Sequence, residues 1–203
     1  MKIFISPHPD DETLGCGGTI LKNPGSILVL ITKHKNNKKN LIDKAIKSYN
    51  FKKVFKLNFS ASKMHLISHS FFIDKISNIV NLFKNTEIYI PSKDDLNTDH
   101  KIINELCISA LRLHRCKDIS KIIIYEVLSE SNLYGGCFKP NYYENIEKHI
   151  HKKIEIFKLY KNEIQSFPNP RSTESIEALS KFRGSQSGYK NAEAFQIIFS
   201  KGK

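Results

Sequence analysis

The stretch Ile3-Phe4-Ile5-Ser6-Pro7-His8-Pro9-Asp10-Asp11-Glu12-Thr13-Leu14-Gly15-Cys16-Gly17-Gly18 opens on an apolar run and closes on glycines. Residues 2–6 read as a buried strand, and Glu12 to Lys22 as a helix that Asn23-Pro24-Gly25 ends. Between them, one imidazole and three carboxylates fall within the five residues 8–12. A strand that ends in such a cluster aims it into one crevice, where open α/β sheets carry their sites. His8 and Asp11 are of the residue types that hold Zn²⁺. Asp10 lies between them and can act on a metal-bound water. The competing reading, a turn with acidic residues at a helix start, does not explain the histidine or the matching loop found below.

Working outward, strands and helices alternate. Ile27-Leu28-Val29-Leu30-Ile31 is a continuous apolar run, as in a central parallel strand. A basic loop, 33–39, is followed by helical spacing over 41–50, a strand over 54–59 and an amphipathic helix over 71–83. A strand at 87–91, a polar loop at 92–99, a helix from His100 to about His114 and a strand at 122–128 complete a β-α-β-α-β-α-β-α-β series. Such a series predicts an α/β fold: a Rossmann-like, mostly parallel sheet with helices on both faces. In the last third, residues 143–164 read as one long helix that Pro168 and Pro170 break. Residues 172–182 read as a capped helix, and 192–199 as a final edge strand. No internal repeat or long linker interrupts the chain, so residues 1–203 read as a single domain.

The loop Asp94-Asp95-Leu96-Asn97-Thr98-Asp99-His100 also follows an apolar strand, and lies at the same sheet edge as the first cluster. The two loops can bring His8, Asp11 and His100 together, a His/Asp/His set that leaves a position for water. Asp10 is then placed to take a proton, and Asp99 to orient a neighbouring group.

Composition limits the alternatives. The 203 residues are 40% hydrophobic and 26% charged, as in a globular protein. No apolar run approaches the ~20 residues of a membrane helix and no signal-peptide pattern follows Met1, so a cytoplasmic enzyme is expected. The four cysteines form no C-x-x-C pair and read as free thiols. The formal net charge is +12, but only residues 33–39 form a dense basic run, without interleaved aromatics. Nucleic acid is therefore not the expected partner. The charge suits an anionic small substrate. Gly15-Cys16-Gly17-Gly18 misses the G-x-G-x-x-G dinucleotide pattern, because Ile20 stands at its last position. These glycines suit close helix–sheet packing. Glu12 reads as a favourable charge at the helix start, and the histidines other than 8 and 100 as surface residues.

Pro7-His8-Pro9-Asp10-Asp11-Glu12 and Asn97-Thr98-Asp99-His100 resemble the two signatures of the PIG-L/LmbE-like zinc-dependent N-acetylglucosamine deacetylases. Leu14 to Ile20, Tyr125-Glu126, Pro170-Arg171-Ser172, Arg183-Gly184-Ser185-Gln186 with Gly188, and Ala192-Glu193-Ala194-Phe195 extend the resemblance over nearly the whole chain. It implies zinc held by His8, Asp11 and His100, Asp10 as general base, and release of acetate from an N-acetylated amino sugar, whether free, nucleotide-linked, lipid-linked or a thiol-precursor glycoside. It also implies a homo-oligomer. Two departures stand out. Asn97 occupies a position where relatives carry a histidine that stabilises the oxyanion; its amide can donate a hydrogen bond but cannot titrate. Lys33-His34-Lys35 replaces the Arg and Glu that relatives carry after the second strand. Arg183 and Glu126 are the expected substrate contacts, with Arg183 equally suited to holding the C-terminal segment in place. Deacylation of another N-acyl glycoconjugate is the nearest alternative. A non-catalytic nucleotide- or nucleic-acid-binding module is the alternative from another class.

Overall fold

A computed structural model describes residues 1–33 and 39–202. The chain alternates β1 (Lys2–Ser6), α1 (Asp11–Lys22), β2 (Ile27–Lys33), α2 (Lys39–Lys47), β3 (Lys53–Ser60), α3 (His69–Val80), β4 (Thr86–Pro91), α4 (Thr98–Ala110) and β5 (Ile119–Tyr125). It then departs from that rhythm with β6 (Tyr142–Asn145), α5 (Ile150–Phe157), α6 (Thr173–Ser187) and β7 (Ala192–Ser200). The seven strands form one sheet in the order β3-β2-β1-β4-β5-β7-β6. The first five run parallel, and β7 pairs antiparallel with both β5 and β6.

The alternation of side chains along each strand explains the layers. Ile3 and Ile5 of β1 join Ile27, Val29 and Ile31 of β2 under Phe72, Ile76, Ile103 and Leu106 of α3 and α4. Phe4, Leu28 and Leu30 point the other way, into a second core built with Leu14, Ile20, Ile46 and Phe157. Both faces are covered, as a parallel sheet requires. The glycines of α1 let it sit close to its neighbours. A Cβ at Gly15 would fall 2.4 Å from the Tyr125 ring, and one at Gly18 would fall 2.5 Å from Ile146.

Strand order fixes where the site lies. From β1 the chain moves outward to β2 and β3, then returns to place β4 and β5 on the other side of β1. The reversal falls between β1 and β4, whose C-terminal ends carry residues 7–11 and 92–100. A crevice opens at such a switch point.

Two expectations are corrected. Residues 143–164 are not one helix: β6 takes Tyr142–Asn145, and α5 spans only Ile150–Phe157. Asn145 Oδ1 accepts the Glu147 amide at 2.9 Å, a local turn that ends the strand. Ile146 faces Gly18 rather than continuing a helical stripe. Strand β7 is not an edge, because β6 covers it. The basic run 33–39 lies mostly outside the described residues, with Lys33 the exposed end of β2. The free-thiol reading agrees with the structure: all four cysteines are unpaired and Cys16 and Cys107 are buried.

Candidate metal centre and active-site crevice

The turn after β1 is pinned at both ends. Pro7 O accepts both the amide (3.0 Å) and the hydroxyl (2.8 Å) of Thr32. Asp11 Oδ2 accepts the His8 amide at 2.9 Å. His100 sits in the first turn of α4, whose N-cap is Asn97. These turns bring three ligand atoms together. His8 Nδ1 lies 3.1 Å from Asp11 Oδ2, His100 Nε2 lies 3.1 Å from the same oxygen, and the two nitrogens are 3.3 Å apart. Donors around a tetrahedral zinc with bonds of about 2.0–2.1 Å are spaced about 3.3 Å. The triangle therefore fits such an ion in size, and its imidazole, imidazole and carboxylate donors fit it in chemistry. Asp11 Oδ1, the other oxygen of the carboxylate whose Oδ2 closes the triangle, is buried and has no hydrogen-bond partner among the described residues, so this carboxylate has acceptor capacity to spare.

Each imidazole has a carboxylate behind it. His100 Nδ1 meets Asp95 Oδ2 at 2.7 Å, and His8 Nε2 meets Asp99 Oδ2 at 3.0 Å. Asp99 is itself fixed by the Ser62 amide at 2.6 Å, and Asp95 by the Ser131 hydroxyl. Carboxylates in this position fix the tautomer and rotation of a ligating histidine. Asp99 thus stands behind the candidate ligand His8 rather than in the crevice. Asp95 is a site residue missed in the sequence; its signal was a buried acid five positions before His100 in the same loop. Asp95→Asn is expected to weaken metal affinity about 10–100-fold, as measured by competition with a chromogenic chelator.

The neighbouring carboxylates favour positive charge on both rings. Burial opposes the imidazolium form of both histidines, but Asp11 with Asp99 and Asp11 with Asp95 outweigh it. They hold His8 up to about 9 and His100 up to about 10 in the metal-free chain. Burial also opposes the Asp11 carboxylate, yet the two histidines hold it well below the usual range. Asp10 goes the other way: burial, then the charge of Asp11, pushes its carboxyl well above the ordinary value, with Arg171 pulling back. One turn therefore carries two adjacent acids of opposite tendency, one suited to ligation and one to proton transfer.

Asp10 is not a helix cap. It stands at the N-cap position of α1, but its side chain caps nothing and its backbone is at φ 146°. Its Oδ2 instead accepts Arg171 Nη1 at 2.8 Å. Glu12 corrects another expectation. It is no exposed dipole charge but a buried acceptor for Ser6, Thr13, Tyr160 and the Asp10 amide.

His8 and Asp10 open onto a crevice of about 370 Å³, lined also by Thr32, Lys33, Asn97 and Arg171. Asn97 Oδ1 accepts the Asp99 amide at 2.9 Å, so its amide nitrogen is the donor it can offer a ligand. Arg183 and Glu126 do not line this crevice. They form a buried two-point ion pair, Nε to Oε1 at 2.8 Å and Nη2 to Oε2 at 2.7 Å. It ties α6 to the end of β5, the segment-holding role rather than substrate contact. Removing one partner leaves a buried charge uncompensated, so Glu126→Ala is expected to cost about 3–5 kcal/mol in urea unfolding without changing metal content.

Comparison with known proteins places this geometry. No curated protein matches the sequence. In structure the chain is similar to the conserved protein TT1542 from Thermus thermophilus, with TM-score 0.76, 18% identity, all of this chain and 96% of that one covered. It is also similar to N,N'-diacetylchitobiose deacetylase from Pyrococcus horikoshii, with TM-score 0.75, 19% identity and 97% and 83% coverage. The 4-carboxy-2-hydroxymuconate hydratase of Pseudomonas putida shares the fold as well, with TM-score 0.76, 13% identity and 100% and 98% coverage. Likenesses at such identities establish the fold and leave function to the site. The family model described as "PIG-L: GlcNAc-PI de-N-acetylase" matches residues 3–111, more than half the chain and both loops of the candidate metal centre. The chain thus belongs to the PIG-L family, and is a hydrolase of its N-deacetylase type.

Proposed function

We propose that the protein is a zinc-dependent N-deacetylase that removes the acetyl group from an N-acetylglucosamine-type amino sugar or its conjugate. The observation that carries this reading is the donor triangle of His8, Asp11 and His100 with Asp10 beside it on the wall of one polar crevice. The crevice is within the usual size range of small-molecule sites, and its hydroxyl, amide and charged side chains suit a polyhydroxylated ligand. Lys33 at its rim and the net charge of +12 support an anionic group on the substrate.

When bound, zinc supplies Lewis-acid polarisation of the amide carbonyl and a lowered pKa for water. His8, Asp11 and His100 would hold it, with Asp99 and Asp95 fixing the two rings. Asp10 accepts the proton from the attacking water and later returns it to the departing amine, so one carboxyl serves as base and then as acid. The Asn97 amide donates to the developing oxyanion in place of a titrating group. The products are acetate and a free amine. No described helix is long and apolar enough to cross a membrane, which is compatible with a cytoplasmic substrate pool.

The test is acetate release from a panel of N-acetylglucosamine compounds: the free sugar, a nucleotide-linked form, a lipid-linked form and a thiol-precursor glycoside. Release from one class by zinc-loaded protein, abolished by chelation, supports the proposal. Saturable binding of a nucleotide conjugate without hydrolysis of any probe would favour a binding module instead.

A further inference from the structure

One segment of chain, residues 158–172 between α5 and α6, reaches Asp10 by two routes. The first is direct. Arg171 Nη1 donates to Asp10 Oδ2 at 2.8 Å and to Glu163 Oε2 at 2.6 Å, while Nε donates to Ser129 Oγ at 3.2 Å. The planar guanidinium is therefore held at three points, Asp10 among them. The backbone beneath it is ordered too, since Arg171 N donates to Asn169 Oδ1 at 2.9 Å and Arg171 O accepts from Gln165 at 3.1 Å.

The second route runs through the backbone. A φ of 146° is one that a non-glycine residue adopts only under constraint, at an expense of about 1–3 kcal/mol. The Asp10 amide donates to Glu12 Oε2 at 3.1 Å. The same carboxylate accepts Ser6 Oγ at 2.9 Å, Thr13 Oγ1 at 3.0 Å and the Tyr160 hydroxyl. The Asp10 amide, Thr13 and Tyr160 are donors that an acceptor-only carboxylate satisfies together, while Ser6 Oγ divides its one proton between this carboxylate and His8 O at 2.6 Å. Tyr160 belongs to the segment that carries Arg171.

We propose that Arg171, and Tyr160 acting through Glu12, are positioning residues that hold Asp10 out of its helix-capping orientation and aimed at the crevice. The 158–172 segment is then a strap on the base, not a substrate clamp. This rests on the deacetylase reading, in which Asp10 moves the proton. The rival role for Arg171 is to bind an anionic group of the substrate. Its Nη1 is already shared between two carboxylates, which argues against that role.

The test uses the zinc-loaded full chain and two readouts. Arg171→Met is expected to lower kcat about 10²-fold, the scale of an ångström-level misplacement, while KM stays within about threefold and bound zinc is unchanged. Arg171→Lys recovers only part of the loss, and added guanidinium restores part of the activity of Arg171→Ala. Independently of activity, Tyr160→Phe is expected to speed exchange of the Asp10 amide proton about tenfold or more, with Glu12→Gln as a second route to the same loss. A KM that rises while kcat is retained in Arg171→Met would overturn the assignment of Arg171. Unchanged Asp10 exchange in the folded variants would overturn the backbone route. If the unsubstituted protein releases acetate from no probe, the deacetylase reading falls, and the exchange measurement decides the inference alone.

Discussion

Asp10→Asn is expected to lower acetate release about 10²–10⁴-fold, the range that a positioned general base supplies, while zinc stays bound. The split between chemistry and metal content is the informative part. Asp10 is adjacent to a ligand, but its side chain points to Arg171 rather than into the donor triangle. Asparagine keeps the shape and removes the proton acceptor. The acidic limb of the kcat/KM profile should go with it, because Asp10 is the buried acid whose carboxyl is pushed up. Retention of that limb at reduced rate would assign proton transfer to another group.

Zinc loading is expected to displace two protons, from His8 and His100, at neutral pH. Both imidazoles sit above the ordinary value of 6.5 in the metal-free chain, at about 9 and about 10. Apparent zinc affinity should therefore rise steeply with pH up to about 9 and level off above about 10. The metal-free protein should behave in the opposite sense. The stability contributed by the two protonated rings is fully present below pH 6.5 and is lost as pH rises through about 9 to 10. Calorimetry in buffers of differing ionisation enthalpy counts the protons, and thermal melts with and without zinc follow the stability. His100→Ala removes a fully buried imidazole donor and leaves Asp11 beside one imidazole. It is expected to lose stoichiometric zinc and, with it, acetate release.

The parallel part of the fold was legible because each element from β1 to β5 carries a period of its own and each loop carries its breaker. The site was legible for a related reason. A switch between β1 and β4 forces the two polar loops to one edge, so His8, Asp11 and His100 meet whatever lies between them in sequence. Two kinds of feature were hidden. Ile146, Ile150, Ile154 and Phe157 keep helical spacing across a strand end, so periodicity alone joined β6 to α5. A turn closed by the Asn145 side chain is what separates them. Partnership at long range was hidden as well. Arg183 reads equally as a substrate contact or as a holder of the C-terminal segment until Glu126, 57 residues away, is seen to occupy its guanidinium. Arg171 reads as a loop residue until Asp10, 161 residues away, is seen to hold it. Asp95 and Glu12 share a loop and a helix start with stronger candidates, and only burial and hydrogen-bond partners single them out.

The most direct test of the zinc centre is a titration of stripped protein with zinc while acetate release is followed. No activity is expected at zero metal, then a linear rise and a break at about one zinc per chain, with no such break in His100→Ala. Full activity in the stripped protein, or in His100→Ala without bound metal, would contradict this expectation.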